Sequence, residues 1–375
     1  MSVFHVPLVK TKDDSYDIQI GRALFKQCAN DLAAGLCGKA HRFALITDSN
    51  INPLYGNTML IHLKAAGITA ELFMFPAGEA SNTRETKAVL EDRMIESRFG
   101  RDSAVIALGG GVVSDLAGFL AGTFGRGIPF VVYSTTLLSA ADASVGGKTA
   151  VDTPAATNLI GLFNQPKKVY IDLDTWDTLP SREISSGLAE TIKHACMADI
   201  ELFEFLEKNV EKLLPASSNI NKDTALHIAR RNCEIKYHVV AADPIEENLR
   251  QVLNLGHTVG RALETLAGFT LLHGEAVSVG LVAQLRLGVR YGYANEDDLV
   301  RVRTLLVRAG LPVKIPPGVK IEQLSDKLYT DKKVRKDTLR FVFQKGIGEM
   351  MQFDDGLWSR PVPEKDIKAV LADSY

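Results

Sequence analysis

The sequence predicts an α/β plus α protein: a doubly wound parallel-sheet domain over residues 1–180, an all-helical domain over residues 181–375, and a cleft between them. Three observations predict it. Apolar strand segments alternate with helical spacing through the first half, the pattern of a doubly wound sheet. From about Ser181 helical patterns follow one another with few strand signals. The 375 residues also exceed what a single core usually serves, about 250–300 residues.

In chain order, Phe43–Asp48 reads as a buried strand ending on a polar residue. Ala70–Phe75 is a second, stopped by Pro76 and Gly78. Thr83–Arg98 has helical spacing. Ser103–Leu108 is uniformly apolar, as a central parallel strand should be. Phe130–Tyr133 and Val169–Asp172 complete the strand series. The helical half reads as Glu183–Cys196, Ile200–Leu214, Thr224–Ala242, Gln251–Leu266, Glu275–Tyr291 and Asp297–Ala309, with Pro312, Pro316 and Pro317 marking a break.

Composition narrows the function classes. Hydrophobic residues make up 46% and charged residues 23%, which excludes intrinsic disorder. The formal net charge is −2, so no basic excess advertises a nucleic-acid or anionic-membrane partner. Cys28, Cys37, Cys196 and Cys233 are scattered with no CxxC pair, which argues for reduced thiols. No secretory leader or apolar run long enough to span a bilayer is read in the sequence, and a cytoplasmic protein is expected.

Leu108 runs into Gly109-Gly110-Gly111 and then into helical spacing from Val112. Glycine allows close backbone approach, and a helix N-terminus offers free N–H groups and a positive dipole end. That suits a pyrophosphate, although the spacing is not GxGxxG and an unliganded turn would use the same residues. Gly118 and Gly122, four apart, would let the helix pack closely. Asp142 to Thr149 is a second small-residue loop; its Lys148 fails the GxxxxGK[ST] spacing, which excludes a nucleotide triphosphatase.

Glu190, His257 and His273 stand out in the helical half. One Glu and two His form a usual catalytic zinc set, with a position left open for water or substrate. Taken singly, each His is as readily structural. Glu190 and Lys193 share a helix face, and so would Asn254, His257, Arg261 and Glu264, with Arg250 one turn earlier. An Asn, a His and two Arg on one face suit an anionic substrate; a solvated polar face has the same spacing. Asp331-Lys332-Lys333 adds cations that a solvated charge run would also explain.

Together the segments GGGVVSDLAGF (109–119), RG (126–127), STTLLSAADASVGGKTAVD (134–152), NLIGLFNQP (158–166), LPSREISSGLAETIK (179–193), LNLGHTVGRALE (253–264), HGEAV (273–277) and DKKVR (331–335) resemble the sugar-phosphate cyclase family, closest to its dehydroquinate-forming branch. The resemblance covers about Ala77 to Lys336. It implies a Rossmann-like N-terminal domain, a helical metal- and substrate-binding domain, and a homodimer. It implies NAD and zinc, with cobalt as a substitute, and zinc ligands at Glu190, His257 and His273. Implied NAD contacts are Asp48, then Gly78, Glu79 and Asn82, then Gly110, Gly111, Val112, Val113, Ser114 and Asp115. Thr135, Thr136, Lys148, Thr157 and the run Thr175, Trp176, Asp177 and Thr178 complete them. Implied contacts to a small anionic sugar phosphate are Asp142, Lys148, Asn158, Lys193, Lys236, Arg250, Asn254, Arg261, Lys332 and Lys333, with Arg126 reaching the neighbouring subunit's site. The implied reaction cyclises a keto-acid phosphate and releases phosphate. The chain departs from the family at Ser114 (usually Gly), Thr157 (usually Lys), Arg261 (usually His) and Asn82 (often Lys).

Overall fold

A computed structural model describes residues 3–8, 11, 13–153, 156–214, 220–268, 270–329, 334–335 and 338–374. The first part is β1 (Asp17–Gly21), α1 (Phe25–Ala33), β2 (Arg42–Asp48), α2 (Asn57–Ala65), β3 (Thr69–Phe75), α3 (Arg84–Glu96), β4 (Ser103–Gly109) and α4 (Gly111–Thr123). It continues through β5 (Phe130–Ser134), β6 (Lys148–Val151), β7 (Ile160–Phe163) and β8 (Lys168–Asp172). Six of these strands form one parallel sheet in the order β1-β8-β5-β4-β2-β3. All seven residues of β4 are buried, because helices cover both faces. Val105 and Ala107 point into one buried cluster, while Ala104, Ile106 and Leu108 point into another on the opposite face. The five strands expected from the sequence are all present. Edge strand β1 and the antiparallel β6–β7 hairpin were not expected: both are short, and distant partners rather than local apolar runs define them.

The second part is α5 (Ser181–Ala198), α6 (Ile200–Asn209), α7 (Lys222–Ala242), α8 (His257–Leu266), α9 (His273–Arg290), α10 (Glu296–Arg308) and α11 (Ile321–Leu328). After it come β9 (Val334–Arg335), β10 (Thr338–Val342), β11 (Gln344–Gly346), β12 (Glu349–Met350), β13 (Ser359–Pro361) and α12 (Glu364–Ala372). The all-helical expectation therefore fails near the C-terminus, where β13-β10-β9 and β11-β12 form small sheets. Buried Leu339 and Phe341 alternate with half-buried Arg340, the period of a strand with one buried face.

The expected helix Gln251–Leu266 is also two pieces. A short turn covers Leu249–Asn254, and α8 starts at His257 after Gly256 in the left-handed region, φ 76°. Close packing explains the break: a Cβ on Gly280 of α9 would lie 1.9 Å from the Gly256 carbonyl oxygen. Gly118 and Gly122 of α4 do permit close approach, since added Cβ atoms would meet Thr149 at 2.4 Å and Leu162 at 2.7 Å in the hairpin.

One buried cluster runs from sheet residues Ala44, Val105 and Val132 through Leu137 to Leu188, Val277 and Leu306 of the helical part. The chain turns from β2 outward to β3, and from β4 outward to β5. Ligands of doubly wound sheets bind beyond the strand ends at such a reversal. Here that crevice opens toward α5, α8 and α9.

Candidate active site

A cleft of about 1130 Å³ lies at that reversal. Its sheet-side wall includes Asp48 at the end of β2, Gly78 and Glu79 after β3, Gly110 to Val113 and Asp115 where β4 turns into α4, and Thr135 and Thr136 after β5. Thr157 and Thr178 also line it. The first peptide groups of α4 face this space with no preceding turn to satisfy them. Added Cβ atoms on Gly110 and Gly111 would meet Thr136 at 3.1 Å and Ala143 at 3.3 Å, and the buried Thr135 hydroxyl has no hydrogen-bond partner among the described residues. A wall of backbone amides, hydroxyls and one strand-end carboxylate fits a dinucleotide. Other expected contacts point elsewhere. Ser114 turns inward and donates to the Gly110 carbonyl at 3.0 Å. Asn82 is buried and donates to Glu79 at 3.1 Å. Trp176 is buried, the Thr175 hydroxyl bonds the Asp172 carbonyl at 2.6 Å, and Asp177 pairs with Lys222 at 2.7 Å.

The expected metal residues converge. α5 is buried along Ile184–Met197, so its few polar side chains are committed to the interior. Its Glu190 Oε1 lies 3.4 Å from both His257 Nε2 and His273 Nε2. The other ring nitrogens are occupied: His257 Nδ1 meets the Leu255 carbonyl at 3.1 Å, and His273 Nδ1 meets Glu264 Oε2 at 3.1 Å. Those outer partners fix the ring orientations and turn both Nε2 atoms toward Glu190, as in metal-ligating histidines. Among the described residues both buried Glu190 oxygens lack a hydrogen bond, although the Lys193 ammonium touches one of them. A buried carboxylate with unsatisfied oxygens and two imidazoles oriented toward it fit a divalent zinc-type ion.

A chain of alternating charge extends from this group. Lys193 lies 3.8 Å from Asp142, and Lys236 pairs with Asp142 at 2.8 Å. Burial raises the Asp142 and Glu190 acidities' midpoints, but the neighbouring ammoniums outweigh it and hold both well below the usual carboxylate range. Burial, reinforced by Arg250 and Lys193, pushes Lys236 down against the pull of Asp142. His257 is held neutral by burial, whereas Glu264 and Glu190 overcome burial and raise His273.

Asp142, Lys148, Asn158, Lys236, Asn254 and Arg261 all line the cleft. Asn254 does so from the Leu249–Asn254 turn rather than from a shared helix face. Arg250 is buried and donates to the Pro244 and Gly146 carbonyls at 2.6 and 2.8 Å. Lys193 lies behind Glu190. Arg126 is exposed and does not line the cleft of its own chain. Lys332 and Lys333 lie outside the described residues. The sequence did not single out Glu246, which pairs with Lys148, or Asp152; neither sits in a periodic pattern. Glu264, by contrast, falls seven residues after His257, two helical turns along one face.

Residues 72–186 match the family model "3-dehydroquinate synthase N-terminal", and residues 187–334 match "3-dehydroquinate synthase C-terminal". The 3-dehydroquinate synthase of Pelobacter propionicus is 44% identical over 351 residues, 93% of this chain and 95% of that one. That of Desulforamulus reducens is 41% identical over 359 residues, 96% and 97% of the two chains. Among solved structures, a 2-epi-5-epi-valiolone synthase from Streptomyces hygroscopicus with NAD+ and Zn2+ bound is 28% identical, with a TM-score of 0.86 and 99% of both chains covered. A butanol dehydrogenase from Thermotoga maritima shares the fold at a TM-score of 0.69 and 13% identity, covering 98% of both chains. With both halves matched and identity above two-fifths along nearly its whole length, the chain belongs to the 3-dehydroquinate synthase family.

Proposed function

We propose that the chain cyclises 3-deoxy-D-arabino-heptulosonate 7-phosphate to 3-dehydroquinate and inorganic phosphate, a lyase step of the shikimate pathway. One observation carries the proposal: Glu190, His257 and His273 converge in the cleft that also holds the glycine turn and the cations Lys148 and Lys236. NAD would lie along Asp48, Gly110–Val113 and Thr135–Thr136 in the part spanning 1–180, and zinc between the three ligands of the part spanning 181–375. When bound, the pair supplies reversible hydride exchange at a ring alcohol and acidification of that alcohol. This chain's residues do the rest. Lys148 and Asn158 hold the phosphate, with Arg126 of a second copy in a homodimer; its absence from its own cleft supports that role. Lys236 and Asn254, which line the cleft, hold the carboxylate, a group that carboxylate-free sugar phosphates lack; the expected contact Arg250 instead lies buried behind them, donating to the Pro244 and Gly146 carbonyls. Asp142, flanked by two ammoniums, stays ionised to accept a substrate hydroxyl's hydrogen bond. Four unpaired, buried cysteines favour a cytoplasmic setting.

Purified protein with NAD, zinc and the keto-acid phosphate should release phosphate with no net NADH. Release only from a sugar phosphate without a carboxylate would make it a sister cyclase. NADH accumulation on a polyol would make it a dehydrogenase.

A further inference from the structure

The loop after α7 carries a carboxylate into the cleft. Asp243 closes α7 and holds the loop: its Oδ1 accepts the Glu247 N–H at 2.9 Å, and its Oδ2 accepts those of Asn248 and Arg250, each at 2.9 Å. Within this frame Glu246 has φ 62°, a left-handed conformation that a side-chain-bearing residue rarely adopts. Its carboxylate reaches across two structural parts. Oε2 lies 2.6 Å from Lys148 Nζ at the start of β6, and Oε1 accepts from Asn254 Nδ2 at 2.9 Å. An ammonium and a carboxamide meeting the two oxygens of one anion is the arrangement expected around a bound carboxylate or phosphate. Lys148 is 37% exposed and Glu246 17%, so the pair faces solvent and can exchange partners. The neighbouring Ile245 is 57% exposed, which leaves room on the loop's outer side.

We propose that Glu246 is an internal competitor: its carboxylate occupies the seat between Lys148 and Asn254, the proposed holders of the substrate's phosphate and carboxylate, and an anionic oxygen group of the substrate must displace it to bind. The proposal rests on the anionic-substrate reading above. It makes Glu246 a specificity residue. A neutral sugar cannot recover the lost ion pair, whereas a phosphate or carboxylate replaces it, so discrimination comes from a built-in cost as well as from attraction.

The test uses the NAD- and zinc-loaded enzyme and two probes, inorganic phosphate and quinate (a carboxylate without phosphate). Their Kd values are measured calorimetrically for wild type, Glu246→Gln and Glu246→Ala. Removing a competing charged partner should tighten at least one probe roughly tenfold. Tightening of phosphate alone assigns the seat to the phosphate, and of quinate alone to the carboxylate. KM for the keto-acid phosphate should fall with it. Glu246→Gln preserves the loop's packing if Glu246→Ala melts early. Unchanged or weaker binding of both probes in Glu246→Gln would overturn the proposal and make Glu246 a group that positions Lys148. Absence of probe binding in all three proteins would also overturn it. Failure of the wild type to release phosphate from the keto-acid phosphate overturns the functional reading instead, whichever way the probe affinities fall.

Discussion

His273 and Glu190 are both expected metal ligands, yet only His273 is a clean position to test. Glu190 and Lys193 are fully buried against each other, and deleting one partner of such a pair strands a charge at about 3–5 kcal/mol. The His273 side chain is 26% exposed, so His273→Ala should melt close to the zinc-free wild type, lowered only by loss of the 3.1 Å Glu264 contact, while abolishing metal retention and turnover. Near-normal turnover with bound zinc would remove His273 from the ligand set. Its outer partner gives a graded version: Glu264→Gln should weaken zinc by about 10–100-fold, read by chelator competition. That Glu190, His257 and His273 belong together was legible in the sequence through residue type and motif, and the structure brings the three side chains together. Glu264 was only half legible, since its spacing places it near His257 but nothing announces its bond to His273. Glu79 carries a further prediction. Burial, reinforced by Glu264, pushes its carboxyl from 4.5 up to about 7. Between those values the folded state binds more protons than the unfolded chain, so this group's contribution to stability falls as pH rises. Glu79→Gln should therefore reduce the drop in melting temperature between pH 5 and pH 8, by the equivalent of roughly 1–2 kcal/mol. An identical pH profile in wild type and variant would refute the shift.

The α8–α9 pair sets the distance between His257 and His273, and it rests on glycine contacts that side-chain periodicity does not display. An added Cβ at Gly280 would lie 1.9 Å from the Gly256 carbonyl oxygen, whereas one at Gly288 on the same helix would meet Ala294 at 3.5 Å. Gly280→Ala should cost about 1–3 kcal/mol or more and loosen zinc as the two helices separate. Gly288→Ala should be neutral or stabilise by roughly 0.5–1 kcal/mol, because alanine favours a helix interior. Equal melting temperatures for the two variants would show that the contact relaxes freely. The same contact explains a failed expectation. Apolar and polar residues from Gln251 to Leu266 keep a helical spacing, but Gly256 must turn left-handed for the helices to touch, so the pattern spans a break. Strands β2, β4, β5 and β8 were legible because burial on both sheet faces makes their interiors apolar, whereas edge strand β3, only partly buried, was legible from its Leu72–Phe75 run and the stop at Pro76. Strand β1 and the β6–β7 hairpin were not, being defined by long-range pairing.

At the scale of the whole molecule, the sheet part and the helical part meet in more than a cleft. The cluster containing Val105 and Val132 of the sheet also contains Leu188, Ala195, Val277 and Leu306 of the helices. Separate domains have separate cores joined by a thinner interface, and such pairs often unfold in separate steps. Here α5, buried on nearly every side, belongs to both parts at once. Removing residues 181–375 would expose the sheet-side members of that cluster, including Val132, Leu137 and Ile171. The full chain should therefore melt in one calorimetric transition, with calorimetric and van't Hoff enthalpies close to each other. A fragment of residues 1–180 should show no cooperative transition of its own. Zinc at about a hundredfold its Kd should raise the single midpoint by the equivalent of about 2.7 kcal/mol, moving both parts together although its ligands lie in one. Two resolved transitions, with only the later-sequence part responding to zinc, would instead mean that the shared cluster is an interface that opens independently. The joint transition matters for the proposed chemistry, because the wall proposed for NAD and the three proposed metal ligands come from different parts. A common core holds them at a fixed separation.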